Sequence, residues 1–208
     1  MRAFLLCGLV AILGSSAAVM AAPPNGWKLL RGDWDRSGEG VGSCRFDPAM
    51  YEKHDKHGPI AIKRIDVTDA VLEATFTLTG EVGENPKTAP RVVLTLDAEK
   101  GHAVRVWLYP AMQTRPTQSS RAAAWTEGTK KPTPIIRNGK LPALRMGEEM
   151  TVAMRTEGET LTVTIDGETF TASHPGVARG KSNAKLSFAF GDLQLTELAA
   201  GPLEAATN

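Results

Sequence analysis

His54, His57, His102 and His174 are the side chains of this sequence best suited to pass protons near neutral pH. By the pattern around them, all four fall in turns or at strand ends. His54 and His57 lie in Tyr-Glu-Lys-His-Asp-Lys-His-Gly, just before an expected strand starting at Pro59. His102 ends Asp-Ala-Glu-Lys-Gly-His between two strand patterns, and His174 lies in Ser-His-Pro-Gly after a hairpin. A pair converging from separate loops would suit general acid–base work, whereas each taken singly also reads as a solvated loop histidine. His54 and His57, three apart, could bind a metal only weakly. No third ligand stands at a recognisable spacing, so no metal site is expected.

The stretch His102 to Tyr109 alternates, with Val104, Val106 and Leu108 on one face and Arg105, Trp107 and Tyr109 on the other. An aromatic pair beside an arginine on an exposed sheet face suits a sugar ring. Its C–H face stacks on the rings, and its hydroxyls take hydrogen bonds. The alternative is that Trp107 is simply covered by a long neighbouring loop. Other chemistry lacks a carrier: there is no Gly-x-Ser-x-Gly, no glycine-rich phosphate loop, no zinc-type His/Cys spacing and no Glu-x-Asp-x-x-Glu strand. A double displacement through two close carboxylates therefore has no visible residues. No particular cofactor is indicated.

These side chains need a frame, and the frame reads as β. In Val71 to Thr79, Leu72, Ala74, Phe76 and Leu78 share one face, opposite Glu73, Thr75, Thr77 and Thr79. Arg91 to Asp97 is a β-branched run, and Thr151 to Arg155 and Thr160 to Ile165 come later. Asp166-Gly167 is the strongest hairpin turn of the chain and returns through Glu168 to Ala172. Lys185 to Phe190 and Leu193 to Leu198 close the series. Few windows would hold a helix of ordinary length, and Leu141 to Met150 carries at most a short turn. Many short strands between turns predict an all-β, two-sheet antiparallel sandwich or jelly roll rather than a βαβ fold. Residues 111–139, polar and holding Pro116, Pro132 and Pro134, read as a long inserted loop.

The first residues read differently. Arg2, an apolar run from Ala3 to Leu13, and small residues ending at Ala21 and Ala22 form the order of a cleavable signal peptide over residues 1–21. The run is shorter than the roughly 20 residues a membrane span needs. The expectation is an exported protein, periplasmic or extracellular, with no membrane partner in its mature form. Residues 22–201 would then be one domain and 202–208 a tail. Removing the leader takes only Arg2 among the charges, leaving 23 acidic side chains matched by as many basic ones. That balance argues against nucleic acid as a main partner. Cys44 is the only cysteine left, so no intrachain disulfide can form; it is either a reactive thiol or a packed small hydrophobe.

The order of short motifs adds a resemblance. Trp27-Lys28-Leu29-Leu30 and Gly32-Asp33-Trp34 precede Lys56-His57-Gly58 and Asp66-Val67-Thr68-Asp69-Ala70-Val71. Asp97-Ala98-Glu99-Lys100-Gly101-His102 with Arg105, then Ile165-Asp166-Gly167, lead to His174-Pro175-Gly176-Val177-Ala178-Arg179-Gly180-Lys181-Ser182-Asn183. The whole resembles the exported 3-keto-disaccharide hydrolase family, also described as 3-keto-glucoside lyases and hydratases, which have a concanavalin A-like jelly-roll fold. The resemblance implies chemistry on a sugar oxidised at C3, whose ketone acidifies the C2 proton so that the C1 aglycone leaves by elimination, or a hydrolysis by later addition of water. It calls for a base, a donor for the leaving oxygen and a cation or metal near the enolate. By residue chemistry and position, His57 and His102 are expected as the acid–base pair and Arg105 and Lys181 as charge-stabilising groups. Trp107 is the expected stacking platform, with Tyr109, His174 and Arg179 also placed at the substrate. A noncatalytic carbohydrate-binding or adhesion module on the same fold needs the aromatic platform but no proton-transfer pair.

Overall fold

The computed structural model describes residues 26–38, 40–54, 57–82, 88–111 and 119–203. The expected signal peptide, residues 1–21, lies outside the described residues, as do 204–208 of the expected tail. Period-two burial organises the strands. In β5 (Ala70–Thr79), Leu72, Ala74, Phe76 and Leu78 are fully buried while Glu73 and Thr79 are exposed. Among the described residues thirteen other strands accompany it. They are β1 (Lys28–Leu30), β2 (Trp34–Asp35), β3 (Gly42–Phe46), β4 (Ile60–Val67), β6 (Arg91–Asp97), β7 (His102–Leu108) and β8 (Arg121–Ala124). After these come β9 (Thr133–Ile136), β10 (Glu149–Glu157), β11 (Thr160–Ile165), β12 (Glu168–Ser173), β13 (Lys181–Ala189) and β14 (Gly191–Pro202).

The strands form two seven-stranded antiparallel sheets. The first runs β1-β4-β13-β6-β7-β8-β9 and the second β12-β11-β10-β5-β14-β3-β2. Consecutive strands often lie in different sheets, as β4 and β5 do, so the chain crosses the sandwich repeatedly in the manner of a jelly roll. Between the sheets sits one core. Leu94, Leu96, Val104, Val106, Leu108 and Leu186 of the first sheet meet Leu72, Phe76, Met150, Val152, Met154, Leu161 and Val163 of the second. Burying each such side chain is worth about 1.5–3 kcal/mol, which lets the domain stand without a disulfide. Cys44 is itself in that core at 3% exposure, and burial, with Asp33 and Asp192 nearby, pushes its thiol up to about 12. It packs as a small hydrophobe and is no nucleophile at neutral pH.

Local chemistry sets the turns. Asp166 and Gly167 take φ of 48° and 88°, the paired left-handed values that a two-residue hairpin requires. Asp166 adds a second tie, accepting from the Thr151 amide at 2.8 Å and from Arg145 at 2.7 Å. A short helix, α1 (Pro48–Lys53), starts with Pro48 at its first turn and Asp47 as the cap that accepts from the Met50 amide at 2.9 Å. Among the described residues no helix is long and apolar enough to cross a membrane.

The stretch 111–139 differs from the expected loop. It contains β8 and β9, which extend the first sheet beyond β7. Arg121-Ala-Ala-Ala is too short and too small-sided to stand out as a strand, and Pro134 argues against one. Proline is nonetheless tolerated here because β9 is the edge strand. Residues 112–118 of this stretch lie outside the described residues.

Candidate functional site: the outer face of the first sheet

Register decides which side chains meet. Lys185, Thr95, Arg105 and Ala123 form one row across β13, β6, β7 and β8, and Ser187, Val93, Trp107 and Arg121 form the next. Their chain neighbours Leu186, Leu94, Val104, Val106 and Ala122 fill the core, so alternation sends these rows to the outer face. Strict alternation would send His102 inward with Val104 and Val106. Instead Leu96 pairs with Val104 and Asp97 with His102, leaving Ala103 as an extra residue in β7. That β-bulge brings His102 round to the outer face.

There His102 joins a part-buried polar network. Its Nδ1 lies 2.5 Å from Asp97 Oδ1, and its Nε2 lies 2.7 Å from an Arg105 guanidinium nitrogen. Arginine can only donate, so Nε2 accepts; Nδ1 then carries the proton and donates to Asp97. The second Asp97 oxygen takes Lys185 Nζ, and Arg105 Nε donates to Thr95 Oγ1 at 3.0 Å. Burial alone would raise the Asp97 carboxyl. Hydrogen bonds from His102 and Lys185 more than offset that and hold it below the usual carboxylate range. Burial also lowers the Arg105 guanidinium, which nonetheless remains charged.

Aromatic rings flank the network. The Arg105 guanidinium lies over both Trp107 (5.4 Å to the ring centre) and Trp125 (5.7 Å). Arg121 lies over Trp107 at 4.9 Å and Tyr109 at 5.3 Å. Trp125 completes the set, 6.1 Å from Trp107 and edge-on to His102 at 5.1 Å. The resulting series Tyr109, Arg121, Trp107, Arg105, Trp125 alternates rings and cations across β7, β8 and the residue after β8, and the His102 ring closes it against Trp125.

Three residues of the 174–183 segment support this arrangement. Arg179 donates to the carbonyls of His102 (2.8 Å), Trp125 (3.2 Å) and Lys100 (2.9 Å), tying the turn before β7 to the Trp125 backbone. Gly176 lies so close that a Cβ there would stand 2.5 Å from the Trp125 carbonyl oxygen. His174 caps the 3-10 turn Pro175–Ala178, its Nδ1 accepting from the Gly176 amide at 3.0 Å. Arg179 and His174 thus act on the ring face through the backbone.

A cavity of about 410 Å³ opens on the same face, lined by His57, Arg91, Arg105, Trp107, Tyr109 and Ser187 among others. His57 therefore shares a cavity with Arg105, which also touches His102. The two histidines stand toward opposite ends of the strands. His57 precedes Ile60, in the row of Trp107, whereas His102 is in the row of Asp97 and Asn183. Lys181 is elsewhere: it is 1% exposed, and its ammonium donates to the Thr68 and Val177 carbonyls. A larger cavity of about 570 Å³ borders it, lined by Arg64, Asp66, Glu99 and Asn183 among others, but among the described residues no aromatic ring lines it. Among the described residues no three His, Cys, Asp or Glu side chains cluster as metal ligands.

Nothing in the sequence singles out Asp97, Thr95, Lys185, Arg121 or Trp125 for this face. The one trace of the second tryptophan's place is parity: Arg121, Ala123 and Trp125 are successive alternate positions, as Arg105 and Trp107 are.

No protein-family model matches the chain, and no curated protein matches it. Solved structures do. The carbohydrate-binding module CBM66 from Bacillus subtilis is similar with a TM-score of 0.54 at 10% identity, over 84% of this chain and 94% of that one. The CBM2 module of the evolved Dit of Lactobacillus casei BL23 phage J-1 has a TM-score of 0.58 at 11% identity, over 88% and 92%. An alginate lyase from Pseudomonas aeruginosa has a TM-score of 0.48 at 12% identity, over 70% and 74%. At such identities the likeness shows the fold alone.

Proposed function

We propose that this is an exported carbohydrate-recognising domain whose ligand lies on the outer face of the first sheet. The observation that carries this reading is the series Tyr109, Arg121, Trp107, Arg105, Trp125 beside an open cavity. A pyranose presents apolar C–H faces and polar hydroxyls; this surface offers the part-exposed Trp107 ring between the guanidinium groups of Arg105 and Arg121, with Tyr109 and Trp125 buried on either side as its support. The jelly-roll likeness to two carbohydrate-binding modules supports the same choice. Calorimetric titration with a panel of neutral and charged oligosaccharides tests it. At least one should bind, and Trp107→Ala should weaken that binding tenfold or more. No binding across the panel, or an unchanged affinity in Trp107→Ala, would count against the site.

The Asp97–His102 couple favours a second reading, a 3-keto-disaccharide hydrolase or lyase activity at the same face. In that chemistry the His102 Nε2 lone pair takes the C2 proton of a 3-keto-glycoside once Arg105 swings from Nε2 to the C3 oxygen. The C2–H electron pair becomes the enolate, whose negative charge Arg105 neutralises. Collapse of the enolate forms the C1–C2 double bond and breaks the C1–O bond. The departing oxygen keeps that pair and takes a proton, from water or from His57 on a ligand long enough to span the face. Asp97 holds the tautomer throughout. Lys181, bound to two carbonyls, takes no part. Aglycone release from a 3-keto-glucoside, lost in His102→Gln, is the outcome this reading requires. Full release by His102→Gln would remove it and leave the binding reading intact.

A further inference from the structure

The two outer faces of the sandwich carry opposite charge, although the chain as a whole is nearly balanced at 24 basic and 23 acidic side chains. Outward positions of the second sheet hold Glu73, Glu149, Glu157, Asp192 and Glu197 against Arg45 and Arg155. Outward positions of the first sheet hold Lys28, Arg64, Arg91, Arg105, Arg121 and Lys185 against Asp66 and Asp97. Both of those acids are already engaged, Asp66 by Arg64 and Asp97 by Lys185 and His102. Among the described residues, Arg91, Arg105 and Arg121 have no carboxylate within ion-pair distance.

Two of these arginines, Arg91 and Arg105, line the same cavity as His57, Trp107 and Tyr109, and among the described residues no acidic side chain lines it. Its volume of about 410 Å³ falls in the range of small-ligand sites, roughly 300–1,000 Å³. Cations gathered in a part-buried cavity repel one another and lose hydration, costs that an anionic ligand reverses. Guanidinium is also the group best matched to a planar carboxylate, which it grips with two parallel hydrogen bonds.

We infer that the ligand of this face is an acidic sugar, a hexuronate, whose carboxylate sits between Arg91 and Arg105 while its ring lies against Trp107. The inference rests on the carbohydrate reading of the same site and names its substrate class. Aromatic rings in the cavity favour a sugar over a bare polyanion, because a duplex backbone offers phosphates but no stacking face.

The test is calorimetry of the protein with hexamers of galacturonate, mannuronate and glucuronate, each beside its methyl ester. The ester keeps the ring and removes only the charge. At least one uronate should bind tenfold or more tightly than its ester, and the affinity should fall steadily from 0.05 to 0.5 M salt. Arg91→Gln and Arg105→Gln should each weaken it about tenfold; if Arg105→Gln fails to fold, Arg91→Gln, part-buried at the start of β6 and outside the His102 network, decides. Equal binding of acid and ester overturns the inference while the carbohydrate reading stands. Binding of neutral oligosaccharides with none of any uronate does the same. Absence of binding to every sugar overturns both. Duplex DNA bound as tightly as the best uronate also overturns it, as nonspecific polyanion attraction.

Discussion

His102 turns its Nδ1 to within 2.5 Å of Asp97 Oδ1 on the solvent side of the first sheet, one residue out of phase with its own strand. The extra residue Ala103 makes this possible, and Arg179 secures it by holding the His102 carbonyl at 2.8 Å. Asp97 in turn is 8% exposed at its side chain and shared between His102 and Lys185. A part-buried carboxylate with two cationic or N–H donors is worth most when none of the three is removed.

Asp97→Asn should therefore cost roughly 1.5–3 kcal/mol of folding stability at pH 7, from charge-assisted bonds lost to Lys185 and His102. The sign with pH comes from the lowered folded value of Asp97. Its contribution is present above the unfolded carboxylate value of about 3.9 and is lost as pH falls through the lower folded value. Urea unfolding between pH 6 and 2 should show a steeper acid loss in wild type than in Asp97→Asn. Parallel curves would contradict the coupling.

Lys181 works in the opposite range. Burial lowers its ammonium to about 8, so between pH 8 and the unfolded value near 10.5 the unfolded chain holds the extra proton. Stability should rise with pH across that window, by on the order of 3 kcal/mol in the limit of full burial. Lys181→Met should remove the rise. Denaturant midpoints at pH 7.5, 9 and 10.5 provide the check.

Gly176→Ala places a methyl 2.5 Å from the Trp125 carbonyl oxygen, so the 3-10 turn or the Trp125 backbone must move. A loss of about 1–3 kcal/mol is expected from overpacking. The displaced ring should also change the tryptophan fluorescence and weaken sugar binding. Native fluorescence and stability in this variant would show that Gly176 does not position Trp125.

The core is the control. Phe76, fully buried in β5, faces Met150 and Leu195 across its ladder partners, and Phe76→Ala should cost about 3–5 kcal/mol. Because Phe76 is in the second sheet and the ring face belongs to the first, sugar affinity in the folded fraction should be unchanged. Thermal unfolding and titration on one sample separate the two effects.

The amino-acid sequence alone determined that the chain would be two β-sheets around one core. Period-two burial is written into each strand, as in Leu72, Ala74, Phe76 and Leu78, and the Asp166-Gly167 turn can take little but its hairpin geometry. It also determined that Arg105, Trp107 and Tyr109 would share a face, since i and i+2 neighbours in a strand always do. Contacts between strands were decided by tertiary structure. Asp97 ended an apolar run with nothing local to say that it would meet Lys185. Trp125 lay in a stretch whose prolines suggested a loop, until pairing with β7 made Arg121–Ala124 a strand. Lys181, expected among the ligand's partners, is drawn to the carbonyls of Thr68 and Val177, far from it in sequence or around one turn. His102 shows the division most sharply: alternation assigned it to the core side, and the bulge at Ala103 carried it to the outer face. Alternation is a property of one strand and needs no partner. Register and bulges arise only when two strands pair, so the network around His102 exists in the fold and in no segment of the sequence.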